Sequence, residues 1–481
     1  MGRRTLMLEN LLGTYLPDAG GAIWLGLLVA LLLFGRFERP LSARNLALLG
    51  LLASAPLLND IGRWDVSTHT RIAPLWWTAL FLILLGHTIW SLVLASARPR
   101  AAWQPNLPGK ALPVIGAILI TMNVLTGLGK RPEDAGIYIS IGTQRWLETG
   151  TLPYGDPQLA GPEAMGRGGA ATYGPVLYLS HIPLVLATGG AHNPPDATVR
   201  SPAYTRPSTL GPKLVAILFH LGGLLGLFLV VRRIAGSGPA WGAIILYCSM
   251  PYLAGLDAGH GSIAGLRFVS HIAPSALMLL ALASASRPFL SGLWFAASAG
   301  ALFYPVFAFP AWFAWRVWRK DRPFRFLAGA AVGGLAIAAL VIVFMPGHGP
   351  VDAIRTFLQA VIEHQEGTDP RDYGTSLFGF WGTHPGLAGV FHTPLLGGSP
   401  FTSPIFLIFL GCCALACWLV RNGTLATLAA ASAAVAAAVQ LWKTHGGGTY
   451  IEWYLPFLIV ALVAGNLPQD TGVVQSDLSE A

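Results

Sequence analysis

Charge is what this sequence has least of. Lys, Arg, Asp and Glu together make up 11% of its 481 residues, against about 25% in a soluble domain. So apolar a surface would aggregate in water, which excludes a soluble enzyme tethered by a single anchor. Cysteine is scarcer still. Cys248, Cys412, Cys413 and Cys417 all fall inside apolar stretches, so no disulfide framework is visible and they read as small packing residues. No Gly-rich nucleotide-binding loop occurs. Ten-residue alternation is also missing: Leu25 to Phe34 and Ala328 to Phe344 are continuously apolar, which excludes a membrane β-barrel. The net charge of +8 sits at the ends of apolar runs rather than in one stripe, so nucleic acid is not an expected partner. Arg3 and Arg4 precede an apolar stretch without a small-residue cleavage site, and no removable signal peptide is expected.

What the chain has instead is apolar length. Hydrophobic residues make up 54% and mean hydropathy is +0.58. Runs long enough to cross a hydrocarbon core about 30 Å thick recur from Ala22 to Gly465. Hydrocarbon offers the backbone no partner, so such runs must be helices. The expected spans are 21–35, 43–59, 72–96, 110–128, 174–190, 213–231, 238–256, 268–285, 289–318, 326–346, 401–420, 423–441 and 449–467, about thirteen in an all-α polytopic bundle. The stretch 289–318 is too long for one plain span and carries Pro305 and Pro310, so it reads as a kinked helix or as two short ones.

Two connections, 129–173 and 347–400, are long and polar. They divide the chain into N-terminal transmembrane helices (1–128), a first long loop (129–173), a central bundle (174–346), a second long loop (347–400), C-terminal helices (401–467) and a polar tail (468–481). An even number of expected spans separates the loops, so both emerge on one side. The clusters Arg36/Arg39/Arg44, Arg98/Arg100/Lys110 and Arg316/Arg319/Lys320/Arg322/Arg325 fall on the other, which the positive-inside rule makes cytoplasmic. Arg232/Arg233 and Arg3/Arg4 run against this assignment. Trp76/Trp77, Trp312/Trp315/Trp318 and Trp453/Tyr454 suit interfacial belts.

The first loop is the most informative segment. From Glu133 to Thr149 a helical spacing puts Ile137, Ile141, Trp146 and Leu147 on one side and Gln144, Arg145 and Glu148 on another, which predicts an amphipathic helix along the membrane surface. Asp134 falls at or just before its N-terminus, where backbone NH groups favour a carboxylate, so helix capping is the plain alternative to chemistry there. Gly150-Thr151-Leu152-Pro153-Tyr154 ends the helix, and Thr172-Tyr173-Gly174-Pro175 returns the chain to the bilayer. Together these features resemble the first external loop of GT-C fold glycosyltransferases, most closely the polyprenyl-phosphate-sugar-dependent, mannosyltransferase-like branch, glycosyltransferase family 87. The specific likeness covers about 45 residues. Tyr-Gly-Pro stands where Tyr-Pro-Pro is commoner, and about three spans precede the loop where the core pattern needs one, implying an N-terminal extension. The resemblance implies a GT-C-like bundle and makes Asp134 the general base that deprotonates an acceptor hydroxyl. Glu133 is the adjacent rival. Tyr138, Tyr154 and Tyr173 would shape the sugar pocket.

In the second loop, Ile354, Phe357, Leu358, Val361 and Ile362 repeat at helical spacing, predicting an interfacial helix over 351–365. His348, Arg371 and His384 are the candidate phosphate contacts, since phosphate prefers cationic or NH-rich partners. They could equally belong to a solvated loop surface. No pair of histidines shows metal-ligand spacing with a third partner, so a divalent metal has the residue types but no pattern behind it. Near the C-terminus, Lys443, His445, Tyr450 and Glu452 flank Gly446-Gly447-Gly448, reading either as a polar opening that contacts the donor or as a flexible turn. Asp257, His260 and Arg267 read as a polar turn at the cytoplasmic surface. Asn422-Gly423-Thr424 matches a glycosylation sequon but falls in a short cytoplasmic turn.

These features suggest a glycosyltransferase in the cytoplasmic membrane of a bacterium, with its active side external. The donor would be a polyprenyl-phosphate-linked sugar and the acceptor a glycan or glycolipid. The rival is a transporter or flippase of a lipid-linked or amphiphilic molecule, which would need polar residues at mid-bilayer and an inverted repeat. No such repeat is visible.

Overall fold

Every regular element among the described residues is helical, as a backbone deprived of water requires. The computed structural model describes residues 19–51, 73–96, 101–129, 134–156, 168–188, 209–250, 268–366, 404–442 and 450–465, with single positions Pro132, Leu159, Leu253 and Leu266. The helices are α1 (Ala19–Phe34), α2 (43–51), α3 (Ala73–Ser96), α4 (Ala111–Gly129), α5 (Asp134–Thr149) and α6 (Pro175–Thr188). They continue as α7 (Leu210–Ala235), α8 (Ser237–Cys248), α9 (Val269–Ala283), α10 (Pro288–Ala301) and α11 (Phe309–Trp318). The last are α12 (Pro323–Val343), α13 (Pro350–Glu366), α14 (Pro404–Leu419), α15 (Leu425–Trp442) and α16 (Leu455–Val463). Three of the described helices, α4, α7 and α12, are by themselves long and apolar enough to cross a membrane. The chain is a helical membrane protein; the full set of thirteen crossings is not established.

Side-chain contacts fix how the helices run. Gly116 faces Trp241, and Asn123 Nδ2 donates to the Cys248 carbonyl at 3.2 Å, so α4 and α8 are parallel. Gly292, Ala296 and Gly300 of α10 meet Ala330, Gly333 and Ile337 of α12 in the same order, so these two are parallel as well. α9, which precedes α10 in sequence, runs opposite to it. Ser291 Oγ donates to the Ala281 carbonyl at 2.8 Å and Ser298 Oγ to the Pro274 carbonyl at 2.6 Å.

The bundle therefore has two distinct ends. At the basic end, Arg233 lies within electrostatic reach of Asp321 and Arg319. There too Arg316 bonds the Ala285 carbonyl and Arg319 the Gly423 carbonyl. At the loop end, Lys213 Nζ donates to the Leu128 carbonyl at 2.8 Å, tying the start of α7 to the finish of α4 just before α5.

Two expectations need correction here. The run 174–190 does not carry the chain from one end to the other. α6 is 14 residues long, about 21 Å; it starts beside Ala301 and finishes where Thr188 meets Gly211, at the start of α7. The run 289–318 is two antiparallel helices, α10 and α11, joined by a 3-10 turn over Tyr304–Ala308. The two corrections offset each other in the count, so the long loops stay on one end. They also remove the anomaly of Arg232/Arg233, which join the other basic residues. Asp257 and His260 lie outside the described residues, but Cys248 and Leu266 on either side pack toward Asn123 and Gly127, the loop end of α4. The reading of that turn as cytoplasmic is not supported by these flanks.

Close backbone approach holds α10 to α12. Lipid gives helices no hydrophobic reason to associate, so small residues that admit van der Waals contact carry the packing. A Cβ at Gly329 would collide with the Phe289 carbonyl, and one at Gly292 with the Phe326 carbonyl, whereas Gly334 on the same helix faces open space. Gly329→Ala should therefore destabilise the detergent-solubilised protein by about 1–3 kcal/mol, while Gly334→Ala leaves the melting temperature unchanged or raised. Equal melting temperatures for the two variants would show that this contact does not hold the pair.

Candidate functional site

Asp134 opens α5, as the sequence predicts, but only its place in the helix is described. Glu133, Arg371, His384, Lys443 and His445 lie outside the described residues. The helix itself is more deeply held than an amphipathic helix resting on a surface. Ala135, Ile139, Ser140, Ile141, Thr143 and Trp146 are buried, while Leu147, expected on the apolar side, is 42% exposed. Two glycines allow this depth. A Cβ at Gly136 would stand 3.2 Å from Pro212, and one at Gly142 would stand 2.8 Å from both the Ala170 carbonyl and the Tyr178 ring. Tyr138 is half-buried and packs with Ile141, Leu159 and Ala170.

Tyr178, which the sequence reading passed over, ties the first loop together. Its hydroxyl donates to the Ala170 carbonyl at 2.6 Å and accepts from the Tyr173 amide at 3.3 Å. Its backbone carbonyl accepts from Thr143 Oγ1 at 3.2 Å. Tyr154 stands edge-on to Tyr178 at 5.9 Å between centroids and donates its hydroxyl to the Tyr173 carbonyl. Burial, reinforced by Tyr178, pushes the Tyr154 phenol well above its ordinary value, so it stays a neutral donor. Tyr154 and Tyr173, both sequence candidates, are thus joined directly. Arg145 Nε meets the buried carboxylate of Asp156 at 2.9 Å, fastening the Pro153–Gly155 turn to α5.

The second loop packs on the first. The Leu152 amide donates to the Phe344 carbonyl at 2.7 Å, Trp146 meets Phe344 edge-on at 5.0 Å, and Tyr154 meets Phe357 of α13 at 5.0 Å. α13 covers the predicted 351–365, with Ala353 and Val361 buried and Asp352 and Arg355 exposed. His348 sits where the Gly155 turn comes closest: a Cβ on that glycine would be 3.7 Å from its Cε1.

The C-terminal candidates separate. Tyr450 is half-buried, but Glu452, expected in a polar opening, is fully buried. Its Oε2 lies 3.7 Å from Nδ1 of His271 on α9, a partner that sequence spacing could not reveal. The signal was a single histidine in an otherwise apolar run, since ionisable groups in such runs are rarely idle. Tyr450 meets His271 edge-on at 4.4 Å and stacks on Trp453 at 4.3 Å, and Trp453 stacks on Tyr304 at 4.1 Å. The hydroxyl of Tyr304, the indole NH of Trp453 and both ring nitrogens of buried His220 have no hydrogen-bond partner. α9 links this group to the first loop, because Val269 and Ala273 pack with Ile139 and Leu177. Among the described residues no three His, Cys, Asp or Glu side chains gather as a metal would need.

The Tyr154 contacts can be divided by mutation. Tyr154→Phe removes one hydrogen bond and should cost about 1 kcal/mol. Tyr154→Ala also removes the ring that joins the loops and should cost about 3–5 kcal/mol. Hydrogen exchange over 350–357 should quicken in the alanine variant alone; exchange quickened equally in both would assign the bracing to the hydroxyl. The chain matches no protein-family model, and no curated protein or solved structure is significantly similar to it.

Proposed function

We propose that this chain is a membrane glycosyltransferase of GT-C type, transferring a sugar from a polyprenyl-phosphate donor to an acceptor hydroxyl at the outer face of the cytoplasmic membrane. The observation that carries the reading is the packing of the first loop on the second at one end of the bundle, Tyr154 against Phe357, with Leu152 held to Phe344 at the finish of α12, around the helix that Asp134 opens. A lipid-phosphate donor keeps its tail in hydrocarbon and its phosphate at headgroup level, so its reacting carbon belongs at such an end.

In this reading the Asp134 carboxylate takes the proton of the acceptor hydroxyl while that oxygen bonds to the anomeric carbon. The bond from that carbon to the phosphate oxygen breaks, and the phosphate leaves with the electron pair. Tyr138 and Tyr173 border the sugar, the latter held by its carbonyl to Tyr154. Cationic groups of the second loop and of the segment before Tyr450 stabilise the leaving phosphate. The acceptor is a glycan or glycolipid.

One observation favours transport of a lipid-linked substrate instead: the buried pair His271 and Glu452, with unpartnered His220 nearby in the bundle interior, is the kind of feature that lines an intramembrane path. Purified protein in liposomes, given a labelled polyprenyl-phosphate sugar and candidate acceptors, separates the two. Asp134→Asn should lower transfer by about 10²–10⁴-fold with insertion unchanged. Full transfer by that variant removes the base assignment, and wild-type movement of the labelled lipid across the bilayer without sugar transfer establishes transport.

A further inference from the structure

A buried lysine needs a reason, because its charge is stable away from water only beside an opposite one. Lys213 stands in the first turn of α7 and is 4% exposed. That end of a helix disfavours a cation, so α7 itself gains nothing from the placement. The side chain instead leaves α7 and reaches the finish of α4, where Nζ donates to the Leu128 carbonyl at 2.8 Å. A carbonyl satisfies a donor but brings no net charge. The preceding residue fixes the other side of the junction: a Cβ on Gly136 of α5 would stand 3.2 Å from Cβ of Pro212 and 3.3 Å from that of Pro132. Gly211 in turn sits against Thr188, at the finish of α6. Lys213 therefore lies where α4, α6 and α7 close around the opening of α5, with Pro212 beside residue 136 and its own ammonium at residue 128. Asp134 falls between those two points along the chain, two residues before Gly136 on the same helix and so about 3 Å from it along the axis.

We propose that the Lys213 ammonium is the counter-charge of Asp134, a positioning residue that keeps that carboxylate ionised and held at the start of α5. Its purpose rests on the glycosyl-transfer reading, in which Asp134 must be ionised to take the proton of the acceptor hydroxyl. The pairing itself belongs to the junction of the four helices and can be measured without any sugar transfer.

The test treats the full chain in detergent with dicyclohexylcarbodiimide, which adds to a protonated carboxyl, and follows labelling of Asp134 by peptide mass spectrometry as pH is varied. In the wild type the midpoint should fall below the ordinary aspartate value of about 4. Lys213→Met, close in length and uncharged, should raise it by about one pH unit or more, so that Asp134 labels at least about tenfold faster near neutral pH. The same variant should lose transfer at a higher pH as acid is added, because its base protonates sooner. Lys213→Arg, which keeps the cation, and Pro212→Ala, which loosens the same junction and leaves the charge, should both stay near the wild-type midpoint. A midpoint raised by Lys213→Met in a chain that transfers no sugar keeps the pairing and removes the transferase reading, whereas transfer with an unchanged midpoint removes the pairing alone. Should Lys213→Met fail to fold, the wild-type midpoint decides, and a value at or above about 4 overturns the pairing. An equal rise in the methionine, arginine and Pro212→Ala variants, or a response at Glu133 in place of Asp134, would overturn it as well.

Discussion

Where no water reaches, every backbone polar group must find its partner within the chain, and this constraint governs the rest of the structure. It forces the apolar runs into helices and removes the hydrophobic drive that would otherwise press those helices together. What remains is contact. Gly292 on Ala330, Gly226 on Leu279 and Gly116 on Trp241 bring helices closer than side chains would normally allow. Serines add hydrogen bonds where backbones are near, as Ser291 and Ser298 do between α10 and α9. Packing of this kind tolerates little change at the contact and much change on the faces turned to lipid.

The same constraint sorts the polar residues. Charges unable to pair inside are driven to the two ends, and the ends then differ in what they gather. Among the described residues, one gathers arginines with few acids. The other receives the long loops, which brace each other through Tyr154, Phe357, Leu152 and Phe344. A reacting group on a free loop would be held loosely. α5 is instead locked among α6, α7 and α9, and the Arg145–Asp156 pair fixes the turn that follows it. A base at the start of such a helix inherits its rigidity, which is what positional catalysis asks of a scaffold.

Much of this was legible in the sequence, and the failures have physical causes. α4, α7 and α12 could be read from apolar length alone, and α13 from the spacing of Ile354, Phe357 and Val361. Hydropathy, however, records how apolar a segment is and not which way it runs. Apolar length therefore marks 174–190 as a crossing that α6 does not make, and Arg232/Arg233 look misplaced in the sequence although α7 finishes near Asp321. The prolines at 305 and 310 did signal the break between α10 and α11. Tyr154 and Tyr173 stand out as candidates in the sequence but their union does not, because it is a contact between one side chain and a backbone carbonyl 19 residues away. Glu452 was placed in an opening because its neighbours are polar; its burial depends on His271, distant in sequence, and no local pattern encodes that contact.

α9 gives the two groups of candidates a common support. One of its faces packs with Ile139 of α5 through Val269 and Ala273, while His271 on the same turn meets Tyr450 and Glu452. A helix that touches both cannot shift at one without disturbing the other, so substitutions at His271 and in the first loop are not independent. This coupling bears on the choice between transfer and transport. In a transferase the buried pair would act on α5 through packing, and its loss would weaken the geometry around Asp134 without abolishing chemistry. In a transporter the pair would itself lie on the path of the substrate, and the loop would serve as its gate. The same contacts serve either design, and the difference between them lies in which face of α9 meets the substrate first.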